Sequence, residues 1–178
     1  MIAKKTDIPT LAFGDVDVQM AFDSWGCNCG PAALAAVTGN TLDEVRPACT
    51  AAGFSIKRYM SPTMMKAAIA SLGIGMAQKY CGARDKSCFP EHGLARMQFT
   101  GPWTSPGANP KWAYRQTHWT SSWRIGEGVE AFTLLFDVNV SCGLIPLAEW
   151  EQRVAPAIAA NMPRADGGWF VTHSWEIE

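Results

Sequence analysis

The stretch SWGCNCGPAALAAVTG, residues 24–39, decides how the rest of the chain is read. A polar, glycine-containing turn runs straight into a small-residue apolar run. Asn28 suits a helix N-cap, Pro31 is tolerated in a first turn and Gly39 suits a C′ stop, so the spacing predicts a helix over 29–38. That segment is apolar all round, which marks a buried helix. Two thiols stand at the junction, and Cys29 falls at the helix start. Unpaired backbone N–H groups and the helix dipole favour an anion there, which stabilises a thiolate. Cys29 is therefore read as a nucleophile. Cys27 is read as a bystander, because C-x-C spacing constrains a disulfide poorly.

Outward from this helix, the front half reads helical and the back half as strands. Thr41-x-x-Glu44 is a capping box opening a helix of about 42–52. Ser61-Pro62 opens another that stops at Gly73, with Met65, Ala68, Ile69 and Leu72 on one face. Residues 80–92 read as a loop. After it the period becomes two over 94–99, 114–125 and 131–139. A helix of about 146–160 carries Leu147, Trp150 and Val154 on one side and is kinked by Pro156. In the closing strand Trp169, Val171, His173, Trp175 and Ile177 share one side, with His173 a core histidine. There is no internal repeat. Helices over about 1–80 and strands over about 93–178 predict one α+β domain, 1–178, with an antiparallel sheet.

Three groups could then carry chemistry. His118 lies on the polar face of a half-buried strand. Asp137 and Asn139 share parity on the next strand, so one of them can orient the histidine ring. Cysteine, histidine and an orienting group form a nucleophilic constellation, with the Cys29 backbone N–H available to an oxyanion. Asp137 is preferred as orienter and Asn139 is the alternative. Among the eight tryptophans, Trp25, Trp103 and Trp119 are candidate walls of a substrate groove. Cys81, Cys88 and His92 are soft ligands, but their spacing is not that of a zinc knuckle, so they are read as a loop with free thiols. No metal and no cofactor is expected.

Bulk properties narrow the class. The chain has 178 residues, 48% of them apolar and 17% charged, with 15 basic and 16 acidic residues and a net charge of −1. This suits one folded core and offers nothing to nucleic acid or a membrane surface. No apolar run approaches the roughly 20 residues of a membrane span. The first residues carry Lys4 and Lys5 without an apolar export core. These features predict a cytoplasmic protein whose six cysteines are reduced.

The motif NCGPAALAAVTG resembles the nucleophile helix of papain-like cysteine peptidases, in particular their C39-like branch. RQTHW resembles that family's histidine strand and LLFDVN the aspartate strand after it. The order Cys, His, Asp/Asn is also the family's. GLARMQFTGPW and THW further resemble phage-type members, which implies the host cytoplasm. The resemblance implies a papain-like fold, with the nucleophile helix packed on a C-terminal antiparallel sheet. It also implies nucleophile Cys29, base His118 and orienter Asp137, with a peptide or protein substrate cleaved at a peptide, isopeptide or other amide bond. A papain-fold acyltransferase or deamidase, or a non-catalytic binding module blocking a host factor, is the alternative. Papain-like enzymes carry a glutamine shortly before the cysteine, donating to the oxyanion. Here Asp23 stands at that spacing, and Gln19 is the nearest upstream glutamine. Gln98 and Gln116 are the other candidate amides.

Overall fold

The computed structural model describes residues 7–178; Lys4 and Lys5 lie outside them. Capping chemistry sets the helices of the first half: α1 Asp15–Trp25, α2 Cys29–Thr38, α3 Leu42–Ala51, α4 Phe54–Lys57 and α5 Pro62–Ser71. The Asn28 side chain accepts the Gly30 N–H at 3.2 Å, and Gly39 closes α2 in the left-handed region at φ 68°. Thr41 and Glu44 cap α3 reciprocally, and Ser61 caps α5. These three helices match the expected ones.

α1 lies in the part expected to be helical, although the expected helices do not include it as a separate one. The segment is helical with Val16, Met20 and Phe22 exposed, and it buries little beyond Ala21. Its place is the edge of a cleft.

The second half supplies β1 Met76–Lys79, β2 His92–Phe99, a short α6 Pro110–Ala113, β3 Thr117–Ile125, β4 Phe132–Phe136 and β5 Leu144–Pro146. It ends with α7 Leu147–Glu149, a π-turn Trp150–Val154, α8 Ala155–Ala160 and β6 Trp169–Ile177. Pro156 offers no N–H to the carbonyl of Gln152, and the helix widens into the π-turn just ahead of it. The six strands form one antiparallel sheet in the order β1-β6-β2-β3-β4-β5. The molecule is thus mixed α+β.

Both faces of this sheet are covered. Leu94, Trp119, Trp123 and Trp175 face α2, α3 and α5, and the Ser121 hydroxyl donates to the Ala33 carbonyl at 2.6 Å. Ala95, Met97, Phe99 and Leu135 face the other way, onto Trp150, Ala155 and Ala159. The polar face expected of the histidine strand is therefore interior. His118, Thr120 and Ser122 are all buried, because β3 is a central strand covered on both sides.

Two strand expectations are corrected. In β6, Arg96 pairs with His173 but Met97 pairs with Val171, so Thr172 is bulged out. The bulge exchanges the faces: Trp169 and Val171 pack on one side, Trp175 on the other. The strand expected over 131–139 ends at Phe136. There Asp137 enters a turn, donating its N–H to the Gly143 carbonyl at 2.8 Å while its carbonyl accepts from Val140 at 3.0 Å.

A third correction concerns redox state. Cys81 and Cys88 form a disulfide with Cα atoms 5.4 Å apart, since the 80–91 loop doubles back on itself within bonding range. No helix among the described residues is long and apolar enough to cross a membrane.

Gly93 gives a direct test of this sheet. A Cβ there would lie 1.8 Å from the Trp175 carbonyl oxygen, a backbone atom held in the β2–β6 ladder. Gly93→Ala should cost about 3 kcal/mol in urea unfolding. A loss under about 0.5 kcal/mol would rule out this close approach.

Candidate active site

Cys29 is the first residue of α2, so its N–H has no acceptor within the helix. Asn28 fixes this start twice: its carbonyl oxygen caps Gly30, and its Nδ2 donates to the Arg58 carbonyl at 3.0 Å. Gly30 is required by packing, since a Cβ would lie 2.5 Å from Met60 Cγ.

The two thiols of the opening motif behave oppositely. Cys27 is 1% exposed, and burial, then the charges of Cys49 and Cys29, push it up to about 12. It remains a neutral thiol. Burial would raise Cys29 too. There, however, the charge and hydrogen bond of His118, with the Trp119 backbone N–H, outweigh burial and bring the thiol below its ordinary value.

His118 sits between the Asp137 carboxylate and the Cys29 sulfur. Its Nε2 lies 2.8 Å from Asp137 Oδ2, which leaves Nδ1 for Cys29. Burial would lower the ring's pKa, but Asp137 and the Cys29 thiolate hold it well above the ordinary 6.5. Asp137 is fully buried. Desolvation would raise it, yet the imidazolium and its hydrogen bonds keep it below the ordinary carboxylate value.

Four donors meet the Asp137 carboxylate. Oδ2 accepts from His118 and from Trp150 Nε1 at 2.5 Å. Oδ1 accepts the Asn139 backbone N–H at 2.8 Å and Asn139 Nδ2 at 2.9 Å. Asn139 therefore holds the orienter and does not itself contact the ring. Trp150 was legible in the sequence only as an apolar position of its helix. Nothing in that pattern showed its indole N–H turned to a carboxylate.

The meeting point follows from the sheet. His118 shares a face with Met97, its partner in the ladder, whereas Cys29 packs from the α2 side. β4 pairs with β3 only over Ser121–Ile125. Residues 117–120 are open on that side, and thiol, imidazole and carboxylate converge there.

Cys29 and His118 line one wall of a cleft of about 1230 Å³. Val18, Gln19 and Phe22 of α1 form another, and Ala157 and Ile158 of α8 a third. The spacing 18, 19, 22 turns one stripe of α1 toward the cleft. Gln19 thus stands in the cleft, its Nε2 donating to Asp23 at 2.9 Å. Gln116 lines the cleft too, while Gln98 is spent on the Phe99 and Gln116 carbonyls.

The tryptophan groove is not formed. Trp119 is core, donating to the Met60 carbonyl, and Trp103 is buried against the Phe99 carbonyl. Trp25 packs edge-on to Phe54. None of the three lines the cleft, because their large apolar rings are used for packing. His92 contacts the Val37 carbonyl at 3.1 Å, away from the Cys81–Cys88 bridge. Among the described residues no group of three or more potential ligands stands together.

Compared with protein-family models, curated proteins and solved structures, the chain matches none.

Asp137→Ala leaves His118 Nε2, Trp150 Nε1 and the Asn139 donors without an acceptor. It should cost about 3 kcal/mol at pH 7 in urea unfolding. The sign with pH follows from the shift. Asp137 lies below 3.8 in the folded protein, so its contribution is present above that range and is lost as pH falls through its folded value. The gap between wild type and variant should therefore narrow on acidification below about pH 4. A gap unchanged down to pH 2 would contradict the charged pair.

Proposed function

We propose that the protein is a papain-like cysteine-dependent hydrolase of peptide, isopeptide or other amide bonds, acting through a Cys29 thioester. One observation carries this reading. A thiol at a helix start is paired with a histidine whose far nitrogen is held by a buried, fully bonded aspartate, and the pair opens onto a cleft. The order helices then antiparallel sheet, with α2 packed on β3, supports the fold assignment.

The chemistry balances as follows. The Cys29 thiolate adds to the carbonyl carbon, and the carbonyl oxygen takes the negative charge beside the Cys29 N–H and the Gln19 amide. The His118 imidazolium gives its proton to the departing amine as the C–N bond breaks. Water then adds to the thioester, losing a proton to neutral His118, and the thiolate leaves. Asp137 holds the ring and stabilises its charged form without taking the proton. With an amine in place of water the same steps give acyl transfer.

Iodoacetamide labelling across pH, mapped by mass, tests this. Cys29 should react below pH 7, where the exposed free Cys142 is slow. His118→Ala should slow Cys29 by at least about tenfold at pH 6. Equal rates at Cys29 and Cys142 would remove the nucleophile from the proposal.

A further inference from the structure

The side of the sheet on which His118 stands decides where the two halves of a substrate lie. His118 is the ladder partner of Met97 and shares its face, and that face is the one α8 covers with Ala155 and Ala159. Hydrogen bonds make the same link directly. Asp137 Oδ2 accepts from His118 Nε2 at 2.8 Å and from Trp150 Nε1 at 2.5 Å, and Trp150 opens the π-turn that runs into α8. The helix therefore starts beside the imidazole and leads away from it along the cleft. Cys29 packs with the α2 core on the other face, and Gln19 belongs to α1. His118 gives its proton to the departing nitrogen, so the amine half of the substrate lies on the imidazole side, against α8.

The wall there has one chemical character. Val154 and Ile158 recur four residues apart, and together with Ala157, Met162 and, from β5, Leu144 and Ile145 they line the cleft. Val154, Ile158 and Met162 rest on the core beneath, while Ala157 is exposed. The polar side chains of this wall are already matched. Glu149 and Arg153 pair with each other, and Asn161 Nδ2 donates to the Ala157 carbonyl at 2.9 Å. Arg115, the remaining cation of the cleft lining, precedes β3 and is not part of α8. A charged group laid along α8 would thus find no free partner, which is costly. An apolar side chain would cover the exposed surface and gain by it.

We infer that the α8 wall is the subsite for the amine half of the substrate, and that it selects an amine bearing an uncharged apolar side chain, as the residue after the scissile bond of a peptide would supply. This rests on reading Cys29 as the nucleophile and His118 as the proton donor.

The reverse of amine departure reads this subsite without a known substrate. p-Nitrophenyl acetate acylates the Cys29 thiolate as p-nitrophenolate leaves. An added amine then attacks the thioester carbonyl, loses its proton to His118 and displaces the thiolate, giving an N-acetyl amide. Leucinamide and glycinamide in equal amounts differ at this step only in the side chain. Wild type should form N-acetyl-leucinamide over N-acetyl-glycinamide by about tenfold. Ile158→Ser should bring the ratio close to one, and so should Ala157→Asp, a change at an exposed helical position that serves if the serine variant does not fold. Equal products in wild type overturn the inference, as does an acyl-enzyme discharged by water alone with both amines present. A ratio unchanged in Ala157→Asp overturns it too, and one lost instead in Phe22→Ser would assign the amine half to α1. Absence of a p-nitrophenolate burst that depends on Cys29, judged against Cys29→Ala, defeats the nucleophile reading itself, and this inference with it.

Discussion

A histidine and an aspartate that share a 2.8 Å hydrogen bond in the interior must be matched on every side. Unpaired, either charge would cost several kcal/mol. The structure around them meets that demand. Trp150 and Asn139 complete the carboxylate, the turn after β4 presents it, and Cys29 supplies the second anion that an imidazolium tolerates. The π-turn at Trp150 and the early end of β4 both belong to this arrangement. They bring an indole N–H to the carboxylate and the carboxylate to the His118 ring.

The helix start answers a complementary demand. Cys29 is half-buried, and desolvation alone would make it a poor anion. Position at the end of α2, the Trp119 N–H and the imidazolium reverse the sign. Two residues away Cys27 has burial without these partners and goes the other way. The contrast shows that local geometry, and not residue type, decides which of the two thiols is shifted toward the thiolate. The cap by Asn28 and the space left by Gly30 for Met60 fix that geometry.

Much of this was legible in the chain. Caps at Asn28, Thr41 and Ser61 set α2, α3 and α5, since capping is local chemistry. Period-two runs located β2, β3 and β6. The pairing of Cys29 with His118, and of His118 with Asp137, also matches the expected trio. What failed was non-local. α1 had no expected bounds because its apolar Val18 and Phe22 border a cleft and not a core. The bulge at Thr172 depends on pairing with β2 and leaves no mark on β6 alone. The tryptophans at 25, 103 and 119 were candidate groove walls, and packing placed them in the core. The disulfide depends on how the 80–91 loop closes, which its composition does not encode.

The central claim is a resting ion pair between Cys29 and His118. Its most direct measurement is the NMR titration of the His118 ring in wild type and in Cys29→Ala. The account predicts a ring that stays protonated well above 6.5 in wild type and titrates lower once the thiolate is removed. A ring that titrates at its ordinary value, unmoved by Cys29→Ala, would contradict it.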